Sequence, residues 1–349
     1  MNQEYTELLK KIEAQLSRWL PDNPQSVWTG EVFADIGTEI LTLKENEHQS
    51  LHSLLTPVKE LINRGGKRWR PLLMTLVCQA LGGGENSIPL SPLVEFPHNA
   101  SLIHDDIEDD SDERRGKPAI HKLFGVDTAV NSASFLYFLA TCCIENCGVK
   151  NKDYIYKLWT DCMRRLHMGQ AMDINWHRNI SIVPDIDDYF LMCKLKTGSL
   201  ARLAVELGAH AAGAELETAQ VLGKAADLMG VGFQILDDVK NLTTGAPGKK
   251  RGDDVVEGKK GLPVLLYLQK HPEKREMIFY YFHVAKEEGT RAPEVDDFID
   301  ALTGAGVFQE AQEKGQAFLN EAGEIFNSQF KNLNEGKLDL LNDFIKLIS

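Results

Sequence analysis

Seven acids fall in the nine residues that begin at Asp105, in the run Asp105-Asp106-Ile107-Glu108-Asp109-Asp110-Ser111-Asp112-Glu113. Asp105 and Asp109 are four apart, so a helix places both carboxylates on one face. Asp106 and Asp110 form a second pair on an adjoining face. Like charges at that spacing repel, and partial burial raises the cost unless a cation is present. Hard divalent ions, Mg²⁺ above all, bind a few carboxylates and otherwise use water or phosphate oxygens. Arg114-Arg115-Gly116 follows directly, and guanidinium groups match phosphate oxygens two at a time. Taken alone, the acids also read as a solvated charge run. A second pair, Asp237-Asp238, follows Phe233, Ile235 and Leu236, with Asn241 four beyond Asp237. A carboxylate on such an apolar helix needs a partner, unless it lies on a solvated last turn. Two acid-rich turns facing each other across a cavity would hold a metal-bridged diphosphate.

Basic residues supply the counterpart. Gly65-Gly66-Lys67-Arg68-Trp69-Arg70-Pro71 packs three cations after a glycine pair, a plausible anion site or else a solvated loop. Lys196-Thr197-Gly198 lies in an otherwise apolar helix, where a glycine costs about 1 kcal/mol against alanine and predicts a local kink with exposed carbonyls. The stretch 245–260, with Lys249 and Lys259, reads as a flexible mixed-charge loop. It is either a lid over phosphates or plain solvated surface.

These residues must be positioned by helices. Leu8, Ile12 and Leu16 recur at spacing four, followed by Leu20. Leu51, Leu54, Leu55, Val58, Leu61 and Ile62 make another one-face stripe. Ala201, Val205 and Ala209 to Ala212 predict a small-residue helix that packs closely. Alternating β-branched segments joined by hairpin turns are not found, so strands are few. The segment 21–24 breaks the first helix, 82–84 with Pro89 makes a loop, and Pro184-Asp185 opens a helix. Pro97 predicts that a helix starts or kinks just before His98. The reading is one all-α domain over 1–349, with about 1–50 as an N-terminal extension and helix of unassigned role. The 349 residues carry 38 Lys plus Arg against 51 Asp plus Glu, a net charge of −13, which argues against a nucleic-acid surface. No apolar run reaches the roughly 18 residues of a membrane span, and no secretion signal is visible. The six cysteines lie mostly in apolar helix-like segments, as reduced thiols of a cytoplasmic protein would.

The order of motifs resembles the trans-polyprenyl diphosphate synthases, from about residue 60 to 305. It runs from Gly-Gly-Lys67-Arg-Trp-Arg70-Pro through His98-Asn-Ala-Ser-Leu-Ile-His, Asp105-Asp-Ile-Glu-Asp109 and Arg114-Arg115-Gly. Gly169-Gln170-Ala-Met-Asp173, Lys196-Thr197, Phe233-Gln234-Ile-Leu-Asp237-Asp238 and Glu257-Gly258-Lys259 complete it. Within that family the chain is most similar to the eukaryotic-type geranylgeranyl diphosphate synthases. The resemblance implies an isoprenoid-synthase-like helical bundle around a deep central cavity, usually a homodimer. It implies condensation of isopentenyl diphosphate with an allylic diphosphate (dimethylallyl, geranyl or farnesyl). Asp105 and Asp109 would bind two Mg²⁺ ions and Asp237 a third. Arg114, Lys196 and Lys259 would hold the allylic diphosphate, with Lys249 nearby. Lys67, Arg70, His98 and Arg115 would hold isopentenyl diphosphate. Thr197 and Gln234 would face the developing allylic cation. Such chemistry needs charge neutralisation at the leaving diphosphate and a dry, dipole-lined pocket. Two departures stand out: Asn241 where many relatives have a third Asp, which the geranylgeranyl type shares, and Gly261 where Thr or Ser is common.

Product length is set by what blocks the cavity floor. One turn before Asp105, Ala100 and Ser101 are small, which disfavours ten- or fifteen-carbon products. Tyr137, Phe138 and His167 match a deeper floor in the geranylgeranyl type, although Tyr137 and Phe138 also fit plain core packing. The preferred reading is a twenty-carbon product. The alternatives are a longer-chain synthase serving quinone side chains, and a non-catalytic partner subunit, which would be expected to lose the metal-motif acids. A terpene cyclase is less favoured, since Lys67, Arg70 and Arg115 would serve no purpose there.

Overall fold

The computed structural model describes residues 3–41, 45–245, 251–330 and 335–348. Two compact units divide the span that the sequence reads as one domain.

The first unit comprises residues 1–159, 203–219 and 332–341, the second the remainder. Helices in the first are α1 (Gln3–Trp19), α2 (Ser26–Phe33), α3 (Gly37–Leu41), α4 (Glu45–Asn63), α5 (Trp69–Ala80) and α6 (Ser91–Glu108). The strands β1 (Glu113–Arg114) and β2 (Lys117–Pro118) pair antiparallel, and α7 (Ile120–Phe124) and α8 (Val126–Thr141) follow. Then come α9 (Lys152–Arg178), α10 (Ile186–Cys193), α11 (Ser199–Ala211), α12 (Leu216–Thr243) and α13 (Asp253–Glu257). The chain continues with α14 (Leu262–Lys270), α15 (Arg275–Glu288), α16 (Pro293–Gly304), α17 (Val307–Phe330) and α18 (Glu335–Ile348). The fold is all-α, as the periodicity predicts. The β1–β2 hairpin turns on Arg115 and Gly116, both at positive φ.

The apolar stripe of α1 is fully buried: Tyr5, Leu8, Ile12, Leu16 and Trp19. It packs on α5 and α6 in the first unit. Leu55, Val58, Leu61 and Ile62 of α4 are buried as their spacing demands. α6, which ends in the acid run, packs most extensively against α8. In the second unit a core gathers around Ile235, Leu266, Phe282 and Phe298. Five of the six cysteines are buried, and none of the six is in a disulfide. Among the described residues no helix is long and apolar enough to cross a membrane.

Three local expectations change. Helix α6 does not start at Pro97; the proline lies inside it. The ring removes one backbone donor, yet burial of Leu93, Val94, Phe96 and Ala100 holds the helix together. The stretch read as a loop from 245 to 260 contains a helix over Asp253–Glu257, and residues 246–250, with Lys249, lie outside the described residues. Helix α6 stops at Glu108 and Asp110 takes a positive φ of 52°. Asp106 and Asp110 therefore do not share a helical face.

Candidate active site

In the first unit the acid motif sits on the last turn of α6. Asp109 is its C-cap, and its N–H still reaches the Asp105 carbonyl at 2.8 Å. Helical spacing thus extends across Asp105 and Asp109, which are both half-buried. Asp106 differs: it is fully buried and accepts from Arg114 Nε at 2.8 Å and from Arg114 Nη2. Arg114 Nη2 also lies 3.6 Å from Asp105. Burial pushes the Asp106 carboxyl up, and the Arg114 guanidinium opposes that.

The basic loop is woven into the hairpin. Arg64 Nη1 donates to the carbonyls of Arg114 and Pro118, both at 2.9 Å. Arg115 Nη1 donates to Leu61 O at 3.0 Å and to Gly65 O. Arg68 is buried and bridges Glu13 of α1 (2.7 Å) and Glu95 of α6 (3.0 Å). Residues 1–50 therefore contribute a carboxylate that holds this loop. Arg70 is buried, and burial brings its guanidinium down to about 10; its Nε has no hydrogen-bond partner. His98 is held well below the usual imidazole range by burial and then by Arg70, Arg115, Arg114 and Arg68. Lys67 is exposed.

Of the chain-length candidates, Ala100 is fully buried and Ser101 hydrogen-bonds the His98 carbonyl at 2.8 Å. Tyr137 is buried and stacks on His104 with ring centroids 5.8 Å apart. Phe138 is 69% exposed. The two are adjacent on a helix, about 100° apart, so only Tyr137 turns toward α6 and Phe138 closes no buried floor within one chain. His167 is exposed, with Nδ1 at 2.9 Å from the Met163 carbonyl.

In the second unit the chain makes a π-helical turn over Lys194–Gly198, the local irregularity that Gly198 predicts. Two helices press on it. A Cβ on Gly230 of α12 would come within 2.7 Å of Gly198 N, and one on Gly169 of α9 within 2.8 Å of the Leu195 carbonyl carbon. Only glycine admits such approach. Lys196 Nζ pairs with Asp173 at 2.6 Å. Thr197 Oγ1 donates to Gln234 Oε1 at 2.7 Å, and Gln234 Nε2 donates to Asp238 Oδ1 at 2.8 Å. Tyr189 Oη donates to Asp238 Oδ2 at 2.6 Å. Burial, then Asp254, pushes Asp238 up to about 7. Asp237 is exposed. Lys259 pairs with Glu257. Lys260 is buried, donates to the Trp176 carbonyl, and is brought down by burial to about 8. A cavity of about 50 Å³ is lined by Asp173, Lys196, Gln234, Asp237, Lys259 and Lys260, among others.

The two departures acquire local reasons. Asn241 Oδ1 accepts from the Asp254 amide at 3.2 Å, and its carbonyl from Gly252 N at 3.1 Å, so Asn241 clamps the start of α13. At Gly261 a Cβ would lie 2.5 Å from Asp238 Oδ2, so any larger residue would displace that carboxylate.

Among the described residues no three His, Cys, Asp or Glu side chains converge as a ready-made chelate. The donors available at the acid motifs, Asp105, Asp109 and Asp237, are hard oxygens. Carboxylate oxygens are the donor type that suits Mg²⁺, which keeps water and takes one or two carboxylates together with phosphate oxygens.

The sequence profile of the polyprenyl synthetase family matches residues 52–297, more than half of the chain. The chain belongs to the polyprenyl synthetase family. It is a prenyl transferase. It is 32% identical over 293 residues to geranylgeranyl pyrophosphate synthase atmG of Aspergillus flavus, covering 82% of each chain. It is 32% identical over 298 residues to the geranylfarnesyl diphosphate synthase of Aeropyrum pernix, covering 82% of this chain and 91% of that one. The crystal structure of geranylgeranyl pyrophosphate synthetase from Pyrococcus horikoshii Ot3 superposes with a TM-score of 0.80 at 24% identity, covering 99% of both; it shows the shared fold.

Sequence reasoning quoted Asp173 without giving it a partner, and missed Glu13, Glu95, Tyr189 and Lys260. The signal for Glu95 was available: an acid among Leu93, Val94 and Phe96 must meet a buried cation. Nothing in the sequence marks Tyr189 or Lys260.

Proposed function

We propose that this prenyl transferase condenses isopentenyl diphosphate with an allylic diphosphate to give geranylgeranyl diphosphate. One observation carries the reading. In a chain of net charge −13, burial and the charges of Arg70, Arg115, Arg114 and Arg68 hold His98 well below the usual imidazole range, and the buried Nε of Arg70 has no partner. Arg68 and Arg114 are already paired with Glu13, Glu95 and Asp106, which leaves Arg70 and Arg115 as the guanidinium groups to meet a bound polyanion.

Arg70, Arg115, His98 and the exposed Lys67 would hold the diphosphate of isopentenyl diphosphate. Neutral His98 offers a hydrogen bond without adding charge. Lys196 and Lys259 would exchange Asp173 and Glu257 for the allylic diphosphate, with Arg114 braced by Asp106 and Lys249 completing the set. Magnesium, about three ions held by Asp105, Asp109 and Asp237, would neutralise the leaving group. The allylic C–O bond breaks with its electron pair on diphosphate. The isopentenyl double bond supplies the pair for the new C–C bond, and the released diphosphate takes the proton lost next. Thr197 and Gln234 present oxygen dipoles to the cation, and no nucleophilic side chain is needed.

The twenty-carbon product rests on buried Ala100 beneath Asp105 and on Tyr137 deeper along α8. The exposure of Phe138 favours a second reading, a longer product, because one fewer side chain blocks the floor. Incubation of purified protein with isopentenyl diphosphate and each allylic starter, read by mass spectrometry, decides between them. Twenty carbons are expected. Longer chains select the second reading, and no prenyl product refutes both. A homodimer is inferred from the exposed apolar strip Val126, Val130 and Phe138 on one side of α8. Sedimentation at twice the chain mass is the expected result. Six thiols outside any disulfide suit a reducing compartment such as the cytoplasm.

A further inference from the structure

Asp238 stands beside the acid assigned to metal, yet its surroundings are those of a different task. It is buried where Asp237 is exposed. Each of its oxygens already accepts a hydrogen bond, Oδ2 from Tyr189 and Oδ1 from Gln234. Gln234 lies one helical turn before it on α12, the spacing at which side chains meet. The amide of Gln234 is then spanned on both sides, since its Oε1 accepts from Thr197.

A primary amide has a negative and a positive end, and rotating it by a half-turn exchanges them. With both oxygens accepting, from Tyr189 and from Gln234, Asp238 is placed as an ionised carboxylate, which has acceptor capacity and lacks a donor. Facing Asp238, Gln234 must therefore present its NH₂, and its carbonyl oxygen must point the other way, toward Thr197. The reversed amide would set Oε1 against a carboxylate oxygen and lose that bond, while the Thr197 hydroxyl, which can accept as well as donate, would tolerate either orientation. A reversed amide would also offer a positive end to any cation beside Thr197. The carboxylate itself is located by Tyr189 and by the absence of a side chain at Gly261.

We propose that Asp238 is a positioning residue that fixes the orientation of the Gln234 amide, so that its oxygen rather than its NH₂ meets the developing allylic cation. The proposal rests on the condensation reading above. Tyr189 and Gly261 act one step further out, by holding Asp238 in place. The row Tyr189–Asp238–Gln234–Thr197 is a set of preorganised dipoles, which contribute most where charge appears in the transition state.

Steady-state kinetics of Asp238→Asn, Tyr189→Phe and Gly261→Ala test this, each compared in the wild-type and Gln234→Leu backgrounds. Asp238→Asn is expected to lower kcat by about 10–100-fold, with KM for both diphosphates and the half-saturating Mg²⁺ concentration within about twofold of wild type. Gly261→Ala and Tyr189→Phe are expected to lower kcat in the same manner and by less. In the Gln234→Leu background none of the three should cost anything further, as residues acting through one another are not additive. A raised Mg²⁺ requirement in Asp238→Asn would make it a metal ligand and overturn the proposal. So would equal losses in the two backgrounds. Should Asp238→Asn fail to fold, Tyr189→Phe, which deletes one hydroxyl, is held to the same criteria. A wild type that forms no prenyl product sinks the condensation reading and this proposal with it. An active wild type with additive variants sinks this proposal alone.

Discussion

Asp105 and Asp106 are chemically identical neighbours, and burial gives them different work. Asp106 is enclosed and committed to Arg114, while Asp105 and Asp109 keep solvent-facing surface. Replacing Asp105 by Ala is expected to lower turnover by about 100-fold or more, with an unchanged circular dichroism spectrum, because the carboxylate proposed to hold Mg²⁺ would act on transition-state charge. Near-normal turnover would contradict the assignment. At Ala100, fully buried, Phe is expected to shorten the product by at least one five-carbon unit, read by chromatography. It should also cost about 1–3 kcal/mol of stability from overpacking. Lys260 gives a pH effect. Its ordinary value is 10.5 and burial lowers it to about 8. Between those values the unfolded chain retains a proton that the folded chain has shed, so its contribution to stability rises with pH. The burden is full below about pH 8. Denaturant titrations from pH 7 to 10 should show wild type gaining on Lys260→Met as pH rises. A constant difference would mean that Lys260 is not shifted.

At the scale of elements, the decisive device is the π turn over Lys194–Gly198, gripped by Gly169 and Gly230. It sets Lys196 and Thr197 side by side, each with its own partner. Gly230→Ala is expected to displace the turn, lower kcat about tenfold or more and reduce the unfolding free energy by about 1–3 kcal/mol. An alanine variant with wild-type kinetics would show that the close approach is dispensable. The sequence hinted at this turn, since Gly198 interrupts an otherwise apolar helix. It could not show which helices press on the turn, because the contacts join α9 and α12, which are distant in the chain. The role of α1 was equally illegible. Glu13 is one acid among several on an amphipathic helix, and only folding brings it to Arg68.

At the scale of the whole molecule, an acidic chain binds a polyanion only where local cations and metal reverse the field. EDTA is therefore expected to abolish activity and added Mg²⁺ to restore it, measured by product formation, with helix content unchanged throughout. Retention of activity in EDTA would remove the metal from the mechanism. By itself the sequence determined the all-α class and the family, and it nominated the acids and bases proposed to do chemistry. Apolar spacing and charge type are local properties, written in residue order. Only the tertiary structure decided that Asp106 is an arginine brace, that Phe138 faces outward and that Gly261 makes room for Asp238. Those outcomes depend on which surfaces meet, and residues far apart in the chain meet only when burial of apolar area brings their helices together.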